Sequence, residues 1–436
     1  MRKIMQKKAV LTGAGILLIL AVILTAGCVE ADTSKQPGVE LVVIASGMQV
    51  NSLVLGQTDC AINWQPNVAA AEVSGVGKVI CDARDLPRND GKTWTEHPCC
   101  VFGANEEALK NRDLAVVLTA LLMKADEYIT RHPERAAADA ANWIYGDTDP
   151  VFGNITVKGT DVTQASIPTI HFTTEVTDKW RDDVYTFIQI YRSIGSLIDT
   201  LKSTSRKETE AIIYDQSIYQ AAKEAAASGV YPTPKPADEI KIGYLLSDHD
   251  APLFVLVKEW EYFKENGNTY LKPEEEKSGQ VERAGLYVNG QKICEVSFVQ
   301  GNAGPNLTTM MQTNSIQYAV AGLTPFLSSI DTRKGLKILA PVMTEGSALI
   351  TTANAPVNNW KEFVAWAKKR SAEGNPLLIA IPEANTIQDL MLKNALSTEG
   401  IRFYDEGSIT FFYPDSENQT GNISVNIYHL NNIHLL

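Results

Sequence analysis

The chain has 436 residues, of which 44% are hydrophobic and 21% are charged, and its formal net charge is −12. This length allows two compact lobes, each with its own core. No basic run or stripe follows the first eight residues, which argues against a nucleic-acid-binding protein. No later stretch is apolar and long enough to cross a bilayer, so we expect the bulk of the protein to be soluble.

The N-terminus predicts export. Residues Met1–Lys8 are rich in lysine and arginine, Ala9–Gly27 form an uncharged apolar run, and Cys28 follows directly. This order is typical of an export signal. A cysteine after Ala-Gly also resembles a lipobox, which implies that Cys28 takes a lipid and becomes the first mature residue, although Thr25 stands where leucine is usual. The alternative is an uncleaved transmembrane anchor, because the run is about long enough to span a bilayer. A lipid on Cys28 and an uncleaved anchor both predict that the protein is tethered to the outer face of the cytoplasmic membrane.

The first half of the mature chain reads as three short strands followed by helices. The clearest helix has Leu114, Val117, Leu118, Leu121 and Leu122 at the spacing of one buried face. The predicted strands are Val39–Ala45, Asp59–Asn63 and Val76–Asp82, and the predicted helices are Asn105–Thr130, Pro133–Tyr145, Asp178–Leu201 and Glu208–Ser228.

Three cysteines surround a polar loop in this half. Cys81 precedes the loop Asp82–Pro98, and Cys99 and Cys100 follow it. Outside the cytoplasm disulfides persist, so we expect a bridge from Cys81 to Cys99 or Cys100. No CxxC motif and no nearby pair of histidines is present, so this spacing predicts no metal site.

A proline-rich linker divides the chain. Residues Gly229–Asp238 contain three prolines, which favour a stiff, extended connection. Strands and helices alternate after it, and this pattern predicts an α/β fold with mostly parallel sheets flanked by helices. The strands are Glu239–Leu246, Lys292–Val299, Ile316–Ala321, Lys337–Val342 and Leu377–Ile381, the helices are Pro252–Asn266 and Pro305–Thr313, and the tail Gly407–Leu436 reads as β-rich.

The second half carries a recognisable series of motifs. A strand, an Ala-Pro-Leu-Phe turn and a helix closed by Tyr-Phe-Lys-Glu-Asn-Gly occupy Ile242–Gly267. The loop Gly322–Pro325 with Ile330-Asp331, and the segments Glu345–Leu349 and Ile379–Leu390, continue the series. Together they resemble the beginning of the nitrate/sulfonate/taurine-type periplasmic binding proteins. The resemblance implies a two-lobed periplasmic-binding-protein fold of type II.

The first half resembles the end of the same family. Leu55–Ala61 (Leu-Gly-Gln-Thr-Asp-Cys-Ala), Asn63–Pro66 (Asn-Trp-Gln-Pro) and His97–Cys100 are similar to its closing motifs. The family's second half therefore precedes its first, which predicts a circular permutation. Such permutations are tolerated because natural termini commonly lie close together on the surface. The alternatives are a rearranged or misassembled gene, or halves that pair between two chains.

The permutation predicts lobes built from both halves of the chain. A strand at Val39–Ala45 or Asp59–Asn63 should lie beside Leu377–Ile381, and Leu118 and Leu122 should cover the sheet of the other lobe. The predicted boundaries are a signal over 1–28, lobe two over 36–77 plus 355–436, lobe one over 78–205 plus 237–354, and a connecting helix and linker over 206–236.

A cleft between two such lobes needs polar groups and apolar walls on loops that follow strands. The glycines of the loop before Pro305 would let backbone amides approach a ligand, and helix N-termini suit an anionic group. The alternatives without a ligand are a turn for Gly301, a helix cap for Thr386, a core role for Trp64 and a satisfied turn residue for His249. The predicted ligand-binding residues are Trp64, Gln65, Ser247, His249, Asp250, Gly301, Gly322, Thr324, Ser347, Thr386 and Gln388.

The cleft loops contain acidic residues and no lysine or arginine. A bare anion is therefore disfavoured, and an organic solute with a polar or cationic end fits better. We predict no cofactor and no catalytic residues, because HExxH, GxSxG and P-loop motifs are missing.

The resemblance implies an extracytoplasmic solute-binding protein that delivers a small organic solute of the sulfonate, nitrate or taurine class, or a related one, to the permease and ATPase of an ABC importer. One alternative is a sensor or interaction ectodomain of the same fold. Another is a thiamine-pyrimidine-synthase-like enzyme, whose cysteine-rich motif Cys99–Phe102 resembles.

Overall fold

A computed structural model describes residues 37–332 and 335–406 of the protein. The apolar N-terminal segment with Cys28 and the tail Gly407–Leu436 lie outside the described residues, so their predicted roles stay predictions. Within the described ranges, none of the helices has the length and apolar character that a membrane span requires.

Strands and helices alternate along much of the described chain. The strands are β1 (Gly38–Val43), β2 (Cys60–Trp64), β3 (Gly77–Asp82), β4 (Cys100–Ala104), β5 (Val151–Phe152), β6 (Ile155–Thr156), β7 (Ile170–Phe172), β8 (Glu239–Tyr244), β9 (Tyr270–Lys277), β10 (Gln280–Val288), β11 (Gln291–Gln300), β12 (Tyr318–Gly322), β13 (Lys337–Pro341), β14 (Met343–Glu345), β15 (Ser347–Thr352), β16 (Leu378–Ile381) and β17 (Arg402–Glu406). The helices are α1 (Ser46–Val54), α2 (Asn67–Val73), α3 (Glu106–Leu109), α4 (Arg112–Arg131), α5 (Pro133–Tyr145), α6 (Gly159–Ser166), α7 (Asp178–Ser193), α8 (Arg206–Ile213), α9 (Gln216–Ser228), α10 (Ala251–Lys258), α11 (Trp260–Glu265), α12 (Gly304–Gln312), α13 (Leu323–Thr332), α14 (Trp360–Ala372) and α15 (Ile387–Thr398).

A six-stranded sheet unites the two ends of the described chain. Its strand order is β17-β1-β16-β2-β15-β3. Strand β1 runs parallel to β16 with Leu41 opposite Ile379, and β16 runs parallel to β2 with Ile379 opposite Cys60. The predicted pairing of the N-terminal strands with the strand ending at Ile381 is confirmed. Every residue of β2 is buried, since it lies in the interior of the sheet between β16 and β15.

A seven-stranded sheet forms the second lobe, with the order β13-β4-β12-β8-β11-β10-β9. Strand β4 comes from the first half of the chain and lies between β12 and β13, antiparallel to both. Helix α4 also comes from the first half and packs against α9 and α10, with Leu118 and Leu122 buried. Each lobe therefore combines segments from both halves of the chain.

The sheets are mixed, so the expectation of mostly parallel sheets is wrong for the seven-stranded sheet. Only the β8–β11 and β8–β12 pairs are parallel in it. Strands β9, β10 and β11 form an antiparallel meander with tight turns at Ser278-Gly279 and Asn289-Gly290, where all four residues have positive φ. Such turns match the right-handed twist of paired strands, and Asn-Gly is their strongest sequence signal.

The crossings between the lobes lie elsewhere than at the predicted boundaries. Strands β3 and β15 fall in lobe one by those boundaries, yet both belong to the six-stranded sheet. Strand β14 pairs with β7, and Gly346 separates β14 from β15. One crossing therefore passes through Gly346, whose φ of +74° suits the sharp change of direction there.

Several predicted helices are interrupted. The segment predicted as Asn105–Thr130 divides into α3 and α4, and the segment Glu208–Ser228 divides where Asp215 caps α9 through its side chain. Helix α7 ends at Ser193 instead of Leu201, and Gly195 follows with positive φ. The helix predicted as Pro252–Asn266 breaks at Glu259. A period of 3.6 residues marks the buried face but does not mark such breaks.

Asp331, from the Ile330-Asp331 motif, ties two remote segments together. Its carboxylate is fully buried and accepts hydrogen bonds from the backbone N–H groups of Ile198 (2.7 Å), Asp199 (3.2 Å) and Leu201 (2.6 Å). The motif thus fixes the turn after α7 against α13. Buried backbone donors need partners, so the carboxylate stabilises a segment that forms no regular element of its own.

Replacing this carboxylate should destabilise the protein. We expect Asp331→Ala to lower the free energy of unfolding by at least about 3 kcal/mol, because three donors lose a charged acceptor. Asp331→Asn keeps one acceptor oxygen and should cost less. Urea unfolding followed by circular dichroism measures both, with the exposed Asp199→Asn as control. Equal stability of Asp331→Ala and Asp199→Asn would contradict this role.

Asp126 on α4 should make stability depend on pH. Burial raises its pKa well above the usual 3.8. The folded state therefore keeps this proton at pH values where the unfolded chain has lost it, so the contribution to stability is full below about pH 4 and is lost as pH rises through the folded pKa. Asp126→Asn should flatten this decline in a series of unfolding curves. The exposed Asp147→Asn should not, and a parallel pH profile for all three proteins would count against the assignment.

Candidate functional site

A small cavity lies between the two lobes. Its volume is about 30 Å³, which is room for roughly one or two water molecules. The lining side chains come from both lobes: Trp64, Thr386, Ile387 and Gln388 from the six-stranded lobe, and Cys99, Cys100, Leu245, Ser247, His249, Gly304, Gly322 and Pro325 from the seven-stranded lobe. The described lobes are therefore closed on each other around a narrow cleft.

Six of the eleven predicted ligand-binding residues line this cavity: Trp64, Ser247, His249, Gly322, Thr386 and Gln388. The loops that follow β2, β8 and β12, and the start of α15, bring them together. This convergence is the arrangement expected where loops at strand ends face each other across two lobes.

The other five predicted residues are not among those that line the cavity. The Ser347 hydroxyl accepts a hydrogen bond from Gln388 Nε2 (2.8 Å), so it orients a lining side chain. Gln65 caps the start of α2, since its Oε1 accepts from the Ala69 N–H (2.9 Å). The Gly301 N–H donates to the Tyr244 carbonyl (2.8 Å).

Asp250 and Thr324 are buried without lining the cavity. One carboxylate oxygen of Asp250 accepts from the Leu245 N–H (3.4 Å), so this residue holds the loop that carries Ser247 and His249.

Hydrogen bonds across the cleft hold the lobes together. Ser247 Oγ donates to the Gln65 carbonyl (2.9 Å), and His249 Nε2 lies 2.9 Å from the Gly346 carbonyl. The Tyr191 hydroxyl donates to the Asn385 carbonyl (2.8 Å), next to the cavity residue Thr386. Residues at the cleft therefore also set the angle between the lobes. A solute that separates the lobes or draws them together acts on these hydrogen bonds.

Thr386 has two roles. Its hydroxyl caps α15 by accepting from the Asp389 N–H, as the capping alternative predicts, and it also lines the cavity. Gly304, at the start of α12, faces Pro325 so closely that an added Cβ would lie 2.7 Å from Pro325 Cγ. The two loops meet at this point because glycine places no side chain between them.

The predicted disulfide is wrong in this structure. All five described cysteines, among them Cys81, Cys99 and Cys100, are free thiols. Cys81 lies at the end of β3 in one lobe and donates to the Asp82 carbonyl (3.3 Å). Cys99 and Cys100 face His249 in the other lobe, with Sγ–Nδ1 distances of 3.6 and 3.7 Å. Cys81 therefore lies in surroundings different from those that Cys99 and Cys100 share.

The thiols and the imidazole form a group that local spacing did not predict. Cys99, Cys100 and His249 are all buried, and their ligand atoms lie within 4.8 Å of one another. Sequence reasoning placed Cys99 and Cys100 in a disulfide and His249 in a ligand loop, and it found no metal-type spacing. The adjacent cysteines at the start of a buried strand were the available signal, but their partner is 149 residues away.

Burial favours the protonated form of the acidic groups next to the cleft. It raises the pKa of Asp248 to about 7 against the opposing hydrogen bond from Ser166, and it raises the pKa of Asp250 well above its usual range. The hydrogen bond with Cys99, together with burial, raises the pKa of the Cys100 thiol. Burial lowers the pKa of His249, but the contacts with Cys100 and the Gly346 carbonyl outweigh it and leave that pKa above its ordinary value.

The fold and the cleft define a two-lobed binding protein of mixed α/β architecture. The model of the NMT1-like family matches residues 17–145 and 233–417, well over half of the chain. The chain therefore belongs to the NMT1-like family, which is part of the nitrate/sulfonate/taurine-binding periplasmic protein group. Members are typically extracytoplasmic, generally bind small solutes and work with ABC transporters. No curated protein and no solved structure matches the chain.

The crossing at Gly346 should be sensitive to a side chain. A Cβ at Gly346 would lie 2.7 Å from His249 Nε2 and 2.9 Å from Ile170 Cγ1, in backbone with φ +74°. We expect Gly346→Ala to cost about 2–4 kcal/mol of unfolding free energy.

Gly374 offers a matched control, because it has the same φ of +74° and an added Cβ there would have no neighbour within 4 Å. Gly374→Ala should cost only the backbone strain, about 1 kcal/mol. Denaturant unfolding measures the difference. Equal costs at the two glycines would mean that crowding at the crossing does not constrain the cleft.

Proposed function

We propose that this protein is an exported solute-binding protein that holds a small solute between its lobes and delivers it to an ABC importer. The observation that carries the proposal is the cavity lined from both lobes, with Trp64 and Gln388 on one side and Ser247 and His249 on the other. A solute that contacts both sides stabilises the closed arrangement, and an importer can recognise that closed form.

The lining favours an uncharged or cationic group over a bare anion. The cavity has Ser247, Thr386 and Gln388 as hydrogen-bonding side chains, and its lining within the described chain includes neither lysine nor arginine. No lysine or arginine of this lining would offset an isolated anion, and the desolvation of such an ion is costly. The solute is therefore an organic molecule with a polar or cationic end.

The order of the motifs supports a circularly permuted member of the family. The Ala-Pro-Leu-Phe turn begins α10 in the middle of the chain, while the Asn-Trp-Gln-Pro segment leads into α2 near its start. The pairing of β1 with β16 and of β4 with β12 supports one two-lobed unit within a single chain, over halves that need a second chain. The proposal is therefore a single permuted protein.

Cys28 supplies the tether in this proposal. Mass spectrometry of the membrane-extracted protein should find a chain that begins at Cys28 with a diacylglyceryl-sized addition. Cys28→Ala should release the protein from the membrane fraction. An intact N-terminus at Met1 would instead identify the apolar run as an uncleaved anchor.

Solute binding should be visible as thermal stabilisation. In a screen of sulfonates, carboxylates, amino acids and pyrimidines, we expect one solute to raise the midpoint of unfolding, because binding to the folded state alone stabilises it by mass action. At a concentration of about 100 times Kd, the gain is about 2.7 kcal/mol. Trp64→Ala and Gln388→Ala should reduce this shift.

The control is Trp366→Ala, which alters a partly buried tryptophan on α14 that is not among the cavity residues. This variant should respond to the solute as the unmodified protein does. Conversion of the solute during the assay would support the enzyme alternative, and an equal loss of response in all three variants would contradict binding in the cleft.

A further inference from the structure

Two thiols and one imidazole converge at the floor of the cleft. The Sγ atoms of Cys99 and Cys100 lie 3.6 and 3.7 Å from His249 Nδ1, and all three residues line the cavity. They are between 2% and 4% exposed, so the group is held in a fixed, nearly dry environment. The potential ligand atoms of all three residues converge, and they do so at the wall of the cavity.

Both sulfur–nitrogen distances match those of a tetrahedral metal site. With bonds of about 2.3 Å to sulfur and about 2.05 Å to nitrogen, tetrahedral zinc holds sulfur and nitrogen ligands about 3.6 Å apart. The two measured distances agree with this value within about 0.1 Å. All three ligand atoms lie within 4.8 Å of one another, and tetrahedral zinc holds two sulfur ligands about 3.8 Å apart. Binding of an ion would therefore set the Sγ–Sγ distance, and the two thiols would release their protons to solvent.

The second ring nitrogen of the histidine is already fixed. His249 Nε2 lies 2.9 Å from the Gly346 carbonyl, and a carbonyl only accepts, so Nε2 carries the hydrogen in the neutral ring. Nδ1 then has its lone pair directed toward the two thiols. Metal-binding histidines commonly have this outer partner, which sets the tautomer and the ring orientation.

The charge and the chemical softness of the three ligands determine which kind of ion fits. Two thiolates and a neutral imidazole neutralise a divalent ion, and a buried neutral site avoids the desolvation cost of a net charge. Thiolate ligands favour thiophilic metals of the zinc class over magnesium or calcium. Three protein ligands leave one tetrahedral position free, and the cavity is the space into which the trio faces.

We infer that Cys99, Cys100 and His249 bind a thiophilic divalent metal ion of the zinc class, whose fourth coordination position opens into the cleft. This inference deepens the proposed function and rests on it in one respect only: a solute with a donor atom would complete the coordination shell. The cleft would then select organic solutes that can coordinate a metal. The ion site itself depends only on the three side chains.

The test uses the full-length protein, kept reduced with a phosphine and stripped of metal. Zinc titration with metal analysis should find one ion per chain, and cobalt should give the sulfur-to-metal charge-transfer band and the visible bands of a tetrahedral thiolate site. Cys99→Ser, Cys100→Ser and His249→Asn should each weaken zinc binding by more than the 10–100-fold typical of losing an outer partner.

Cys81→Ser is the matched control, because Cys81 is an equally free, buried thiol in the other lobe. It should bind zinc and cobalt as the unmodified protein does, and circular dichroism checks that every variant is folded. Zinc binding that survives the Cys99→Ser/Cys100→Ser double variant, or cobalt spectra without the thiolate band, would overturn the inference.

Solute binding is measured in a separate experiment, on the metal-free protein. A solute that stabilises the metal-free protein while zinc fails to bind would overturn the metal site and leave solute binding in place. Zinc binding at the trio with no solute response would support the site and count against the proposed function.

Discussion

The structure depends on the pairing of strands from the two ends of the described chain. Strands β1 and β2 do not pair with each other, because β16 lies between them, runs parallel to both and supplies the hydrogen-bond partners that join them. A sheet whose central strand is fully buried cannot form from either part alone, since each would leave open edges and exposed core residues. Closure of this lobe therefore brings the start and the end of the chain together.

The cleft is a consequence of how the chain passes between the lobes. The chain leaves one lobe through β14, turns at Gly346 and enters the other lobe through β15. The Gly346 carbonyl then lies against His249, so the crossing and the floor of the cleft share a hydrogen bond. A change in the angle between the lobes therefore moves residues that face the cavity. A solute-binding protein needs this coupling between lobe angle and binding site.

Much of this organisation was predictable from local sequence. The strands at Val39, Asp59 and Leu377 had apolar runs of strand length, and their pairing followed from the order of the family motifs. The loops at Ser247, Gly322 and Thr386 lie at strand ends or a helix start, and that position alone places them at a cleft.

The remaining features depend on contacts between residues remote in sequence. The trio of Cys99, Cys100 and His249 forms only because β4 and the loop after β8 meet in one lobe, so no spacing rule finds it. The lobe boundaries were misplaced because the sequence of β3 does not show which sheet it joins, and because no strand was predicted where β15 lies. The β9–β11 meander does have a local sequence signal, because the Asn289-Gly290 pair is typical of a tight turn between antiparallel strands.

Hydrogen–deuterium exchange of the full-length protein with and without its solute tests the central claim most directly. If one cleft between two interwoven lobes binds the solute, exchange should slow at the same time in residues 63–65, 247–250 and 386–388. These segments lie on opposite sides of the cavity and far apart in sequence. Protection confined to one lobe, or protection away from all three segments, would contradict the account.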